Sequence, residues 1–116
     1  MATSGELIQI EIGARETWTI NWGMDITGYT TFIAIKRKTT DDDADAVWSA
    51  EITTHNDEIN GVDVVDQPAS NTINLKGFYY WSTRLYDDSG DVMISMKGQL
   101  EYTTNVIKAI TTDELP

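Results

Sequence analysis

The sequence predicts an all-β domain, a two-sheet antiparallel sandwich of seven to eight short strands. Apolar and polar residues alternate at period two through most of the chain, and turn signals recur about every eight to twelve residues. No long stretch carries the apolar stripe of an amphipathic helix. A small closed barrel satisfies the same alternation, so both architectures stay open here. With 116 residues and no linker or repeat, 1–116 reads as one domain. A chain of that length buries about two-thirds of its unfolded surface and folds without a staple.

Each element follows from its own residues. Leu7-Ile8-Gln9-Ile10-Glu11-Ile12 sets three isoleucines on one face, and Thr17-Trp18-Thr19-Ile20-Asn21-Trp22 does the same with Trp18, Ile20 and Trp22. Both read as half-buried strands. Residues 29–38 are β-branched and apolar on both faces, as a central strand is, until Lys36-Arg37-Lys38 carries the chain into solvent. Trp48, Ala50 and Ile52 alternate with Ser49 and Glu51 in a fourth strand, and His55-Asn56-Asp57-Glu58 reads as an exposed loop. Residues 61–66 and 71–75 are short candidate strands separated by the turn-like Gln67-Pro68-Ala69-Ser70. Residues 78–87 form an aromatic strand, Asp88-Ser89-Gly90 a hairpin loop with Gly90 at positive φ, and residues 92–102 the return. In the return Val92, Ile94, Met96, Leu100 and Tyr102 share the inner face, and Ser95, Lys97, Gln99 and Glu101 the outer. Residues 1–5 are expected to be a short mobile N-terminus. Residues 105–116, with Val106, Ile107, Ile110 and an acidic end, form a C-terminal arm that either overruns the last strand or docks on a neighbouring subunit.

Eight Lys and Arg stand against 19 Asp and Glu, a net charge of −11 that repels phosphate and argues against nucleic acid and anionic membrane as partners. No apolar run is long enough to span a bilayer, so no membrane insertion is expected. The first residues lack the basic start and apolar run of a signal peptide. The absence of cysteine removes thiol nucleophiles, disulfides and thiolate metal sites. Four Trp, five Tyr and two Phe within 41% hydrophobic residues make the chain too apolar for a disordered acidic tail.

Four constellations bear on chemistry. Gly77-Phe78-Tyr79-Tyr80-Trp81 has the G-x-Y-x-large spacing at the corner leading into the penultimate strand of immunoglobulin-like domains, where the Tyr hydroxyl bonds the backbone just upstream. Trp81 then takes the position of the core cysteine. A sugar-stacking platform is disfavoured because adjacent strand residues point to opposite faces, which leaves Tyr80 and Tyr86 outward. Asp41-Asp42-Asp43-Ala44-Asp45 opens like a calcium loop but has Ala46 and Ile52 where Gly and a bidentate Glu belong, so it reads as a solvated loop capping Lys36-Arg37-Lys38. Asp87, Asp88 and Asp91 are explained by turn chemistry. His55, the single histidine, is expected at the surface, where nothing would orient it for a Ser-His-Asp relay. No spacing singles out a glycosidase-like carboxylate pair. No catalytic, cofactor-binding or metal residue is therefore assigned.

In order along the chain run W-T-I-N-W, D-I-T-G-Y-T at 25–30, F-I-A-I-K-R, a variable acidic loop, L-K-G-F-Y-Y-W-S-T-R-L at 75–85, Y-D-D-S-G-D-V at 86–92 and M-K-G-Q-L-E-Y at 96–102. Together they resemble small immunoglobulin-like structural proteins of tailed bacteriophages and prophages, similar in pattern to the N-terminal domain of phage baseplate upper proteins. The resemblance implies an immunoglobulin-like sandwich and a non-enzymatic virion structural or assembly protein of a tail, baseplate or head. It implies contacts with other virion proteins or with itself, and a place in the virion or the bacterial host cytoplasm. The alternative is a carbohydrate-binding sandwich, which requires Trp18, Trp22, Trp48 or Tyr80 on an exposed flat face.

Overall fold

The computed structural model describes residues 7–73 and 75–103. The expectations for residues 1–5 and for the arm 105–116 lie outside the described residues. Alternation at period two produces seven strands: β1 (Leu7–Glu11), β2 (Glu16–Asn21), β3 (Thr30–Lys36), β4 (Trp48–Ile52), β5 (Val62–Gln67), β6 (Gly77–Tyr86) and β7 (Val92–Thr103). A 3-10 turn covers Asp43–Asp45, and a single turn of helix, α1 (Ala69–Thr72), stands in the region expected to hold an eighth strand. There Pro68 ends the preceding strand, and the polar side chains that follow bond elsewhere: Thr72 Oγ1 donates to the Ala14 carbonyl at 2.7 Å and Asn71 Nδ2 to the Val47 carbonyl at 3.1 Å. Local side-chain bonds of this kind compete with a strand ladder.

The strands divide into a five-stranded sheet in the order β1-β7-β6-β3-β4 and a two-stranded sheet, β2-β5, which makes the fold an open sandwich. In immunoglobulin terms β3, β6 and β7 form the C-F-G sheet extended by β4, and β2 and β5 supply strands B and E opposite. The antiparallel expectation fails at one edge. β1 lies parallel to β7, with Leu7 opposite Gln99 and Glu11 opposite Thr103.

Between the sheets Trp18, Ile20 and Trp22 of the β2 segment meet Ile33 and Ile35 of β3, Tyr79, Trp81 and Leu85 of β6, and Leu100 and Tyr102 of β7, all buried. Each such large apolar side chain contributes about 1.5–3 kcal/mol through removal from water. Trp81 stands opposite Gly98 in the β6-β7 register, and its ring fills the place of a missing side chain: a Cβ on Gly98 would lie 2.6 Å from the indole. A register shift between Leu85 and Tyr86 brings Val92 opposite Tyr86. Such a bulge re-aims side chains, and Val92, expected on the inner face, is instead exposed.

Candidate functional site

The clearest departure from expectation is His55. Its side chain is 1% exposed and lies against Asp63, whose side chain is wholly buried. Asp63 comes from β5, where the register sets it opposite Ile20 and turns it inward. The chain can make this approach because Gly61 has φ +75°, and a Cβ there would lie 2.2 Å from the Met24 carbonyl oxygen. From Asp63 a continuous polar path crosses the sandwich. Trp22 Nε1 donates to Thr31 Oγ1 at 3.0 Å, Thr31 Oγ1 donates to Asp63 Oδ2 at 2.5 Å, and His55 Nδ1 lies 2.7 Å from Asp63 Oδ1. His55 Nε2 lies 2.7 Å from the Tyr29 carbonyl oxygen. Both ring nitrogens thus face oxygen atoms, and the ring is held from two sides. A hydroxyl, a carboxylate and an imidazole are the ingredients of a nucleophilic relay, but their order is wrong for one. The Thr31 hydroxyl bonds the carboxylate, and no imidazole nitrogen faces a substrate. This cluster ties β3, β5 and the loop before β5 together.

A second buried polar path runs at the other end of β5. Tyr102 Oη donates to Gln67 Oε1 at 3.0 Å and Trp18 Nε1 donates to the same oxygen at 3.3 Å, while Gln67 Nε2 donates to Asn71 Oδ1 at 2.6 Å. Burial pushes the Tyr102 hydroxyl up to about 12. The expected tyrosine corner forms beside it: Tyr79 Oη accepts from the Lys76 amide at 3.4 Å and from Arg37 Nη1 at 3.2 Å.

The two acidic segments behave as their sequences suggest. Asp43 Oδ1 accepts from Lys36 Nζ and from Arg84 Nη2, each at 2.7 Å, and these hydrogen bonds, Arg84's first, hold its carboxyl below the usual carboxylate range. Asp87 Oδ1 accepts from the Ser89 and Asp91 amides at 2.9 Å, closing the hairpin loop. Among the described residues no three carboxylate or imidazole side chains converge where they could hold a metal ion.

Of the aromatics required for sugar stacking, Trp18 and Trp22 are buried and Trp48 is half-buried against the core. Tyr80 alone opens outward, on the face of the five-stranded sheet turned away from β2 and β5. There the side chains of Lys36, Thr39, Tyr80, Ser82, Lys97 and Gln99 border a groove of about 580 Å³. Register explains the set: Lys36, Tyr80 and Gln99 form one row across β3, β6 and β7, and Ser82 and Lys97 belong to the next. Apart from Tyr80 the sequence did not single these residues out, although the outward parity of Lys97 and Gln99 was legible.

No family model and no curated protein matches the chain. Among the described residues no helix is long and apolar enough to cross a membrane.

Proposed function

We propose that the chain is a non-enzymatic structural or assembly protein of a bacteriophage or prophage virion that works through protein–protein contacts. The observation that carries the contact role is the division of labour between its two polar regions. The one imidazole is enclosed and saturated within the core, while the open face of the larger sheet offers a lined groove to solvent. A rigid sandwich with its polar recognition groups on an outer sheet face suits docking better than turnover. The virion setting rests on the sequence resemblance through residues 25–30, 75–92 and 96–102, together with the immunoglobulin-like strand order.

The test is fractionation of a lysate in which the virus carrying this gene is multiplying. The chain, detected by antibody, is expected to sediment with particles or with head, tail or baseplate intermediates, and disruption of its reading frame is expected to lower infectious yield. Recovery only as free protein, with normal particles formed in its absence, would overturn the proposal. The carbohydrate alternative is reduced to Tyr80 with the exposed Phe78 beside it on the same face, and would be revived by glycan binding that the Tyr80→Ala substitution abolishes.

A further inference from the structure

The outer face of the five-stranded sheet treats its aromatic side chains unequally. Toward the hairpin, the Arg84 guanidinium lies 5.1 Å from the ring centre of Phe32 and 5.7 Å from that of Tyr86, and both residues are half-buried. At the other end Phe78 and Tyr80, two residues apart on β6 and facing the same way, are 57% and 36% exposed. Two neighbouring open rings form an apolar patch, which asks for a cover where a lone exposed side chain would not.

The chain supplies an occupant at the rim of this patch. β7 ends at Thr103, opposite Glu11, and the Thr103 carbonyl accepts from the Ile12 amide at 2.9 Å, which fixes where the following residues leave the sheet. Phe78 stands opposite Glu101 and Tyr80 opposite Gln99, so at about 3.3 Å per residue the rings lie about 7 and 13 Å back from that exit. Residues 104–116 continue the sequence with Asn105, a residue type that tolerates tight turns, and then Val106 and Ile110. These two share one side of an extended segment and stand about 13 Å apart, a span that reaches from the exit back to the Tyr80 row. The remaining exposed apolar side chains fit less well. Val92 and Met93 lie at the far end of β7, about 33 Å from Thr103, and Ile59 and Val64 belong to the loop before β5 and to β5 itself. Ile73 is near the exit, beside Gly13, but it offers a single side chain.

We infer that residues 104–110 fold back across the outer face and lay Val106 and Ile110 against Phe78 and Tyr80 of the same molecule. A link this short holds the segment at high effective concentration over the patch, which favours the same copy over a second one. The contact is internal to one copy and does not rest on the assembly reading. A partner docking on this face reaches its Tyr80 end by displacing the segment.

Amide hydrogen exchange of residues 104–112, followed by NMR on the full chain at two concentrations, tests the contact. Exchange at Val106–Ile110 is expected to be at least about tenfold slower than in an unstructured chain, and equally slow on dilution. The pair Phe78→Ser with Tyr80→Ser removes the patch and Val106→Ser with Ile110→Ser removes the occupant, and each pair is expected to return the segment to unprotected exchange. All four side chains lie outside the core between the sheets or beyond Thr103, and circular dichroism checks that both variants fold. Unprotected exchange in the wild type would overturn the contact. Protection that falls on dilution would assign the patch to a second copy's segment, and protection that survives loss of both rings would make residues 104–110 a plain extension of β7. Loss of protection in Ile73→Ser alone would move the contact to Ile73, and each of these three results overturns the inference.

Discussion

Asp63 and Asp43 make a controlled comparison within one molecule. Each carboxylate lies 2.7 Å from a cationic or potentially cationic nitrogen, yet the side chain of Asp63 is wholly buried and that of Asp43 is 44% exposed. Distance alone would rank the two alike. Surroundings separate them, because water screens Asp43 and can replace any partner it loses, whereas a buried charge stripped of its partner has nothing to turn to. Asp63 therefore belongs to the scaffold, holding the small sheet and the 53–61 loop to β3. Asp43 belongs to the adjustable outer face, where Lys36 and Arg84 are arranged around it.

The largest expected effect breaks the buried side. Asp63→Ala leaves His55 and Thr31 facing an empty site and is expected to cost about 3–5 kcal/mol in denaturant unfolding, with Trp22 fluorescence shifting as its Thr31 contact loosens. A loss below about 1 kcal/mol would show that the cluster is not a clasp. Next comes Gly98→Ala, which sets a methyl against the Trp81 ring directly beneath the groove. Overpacking of this kind costs about 1–3 kcal/mol, and the accompanying change in Trp81 emission would report strain reaching the sheet that carries the outer face.

A smaller effect concerns the second buried path. Because the folded state raises the Tyr102 hydroxyl from 10.0 to about 12, its contribution is complete below pH 10 and is lost as pH rises through about 12. Tyr102→Phe is expected to lower stability by about 0.5–1.5 kcal/mol at neutral pH and to flatten the alkaline fall, as pH-dependent melting would show. Smallest of all is Asp43→Ala, expected to cost no more than about 1 kcal/mol at neutral pH. Its carboxyl is held low, so whatever it contributes is present above the usual carboxylate range and vanishes as pH falls through its folded value. Wild type and variant should therefore converge in acid. Convergence in alkali instead would reverse the assignment.

Seven strands, the hairpin at Gly90 and the tyrosine corner were legible because each depends on local pattern: alternation, turn chemistry and a fixed G-x-Y spacing. The burial of His55 was not, since it depends on two distant facts. One is the β2-β5 register that turns Asp63 inward, and the other is the Gly61 backbone passing close to Met24. In β5 the polar Asp63 and Gln67 are buried while Val64 is exposed, so hydrophobicity points the wrong way for this strand. The partners that make those polar residues welcome, Trp22 through Thr31, His55, Trp18 and Tyr102, all come from other segments. The parallel placement of β1 and the outward turn of Val92 were hidden for the same reason, because sheet order and bulges are fixed by pairing partners rather than by composition. Of the groove, sequence parity shows which side chains point outward but not that β3, β6 and β7 bring them side by side.

If the interior is scaffold and the outer face is adjustable, the two carboxylates must answer differently to the same truncation. The most direct measurement is denaturant unfolding of Asp63→Ala and Asp43→Ala beside wild type in one buffer. A loss of about 3–5 kcal/mol at the buried carboxylate and of no more than about 1 kcal/mol at the exposed one is the predicted result. Equal losses, or a larger loss at Asp43, would contradict it.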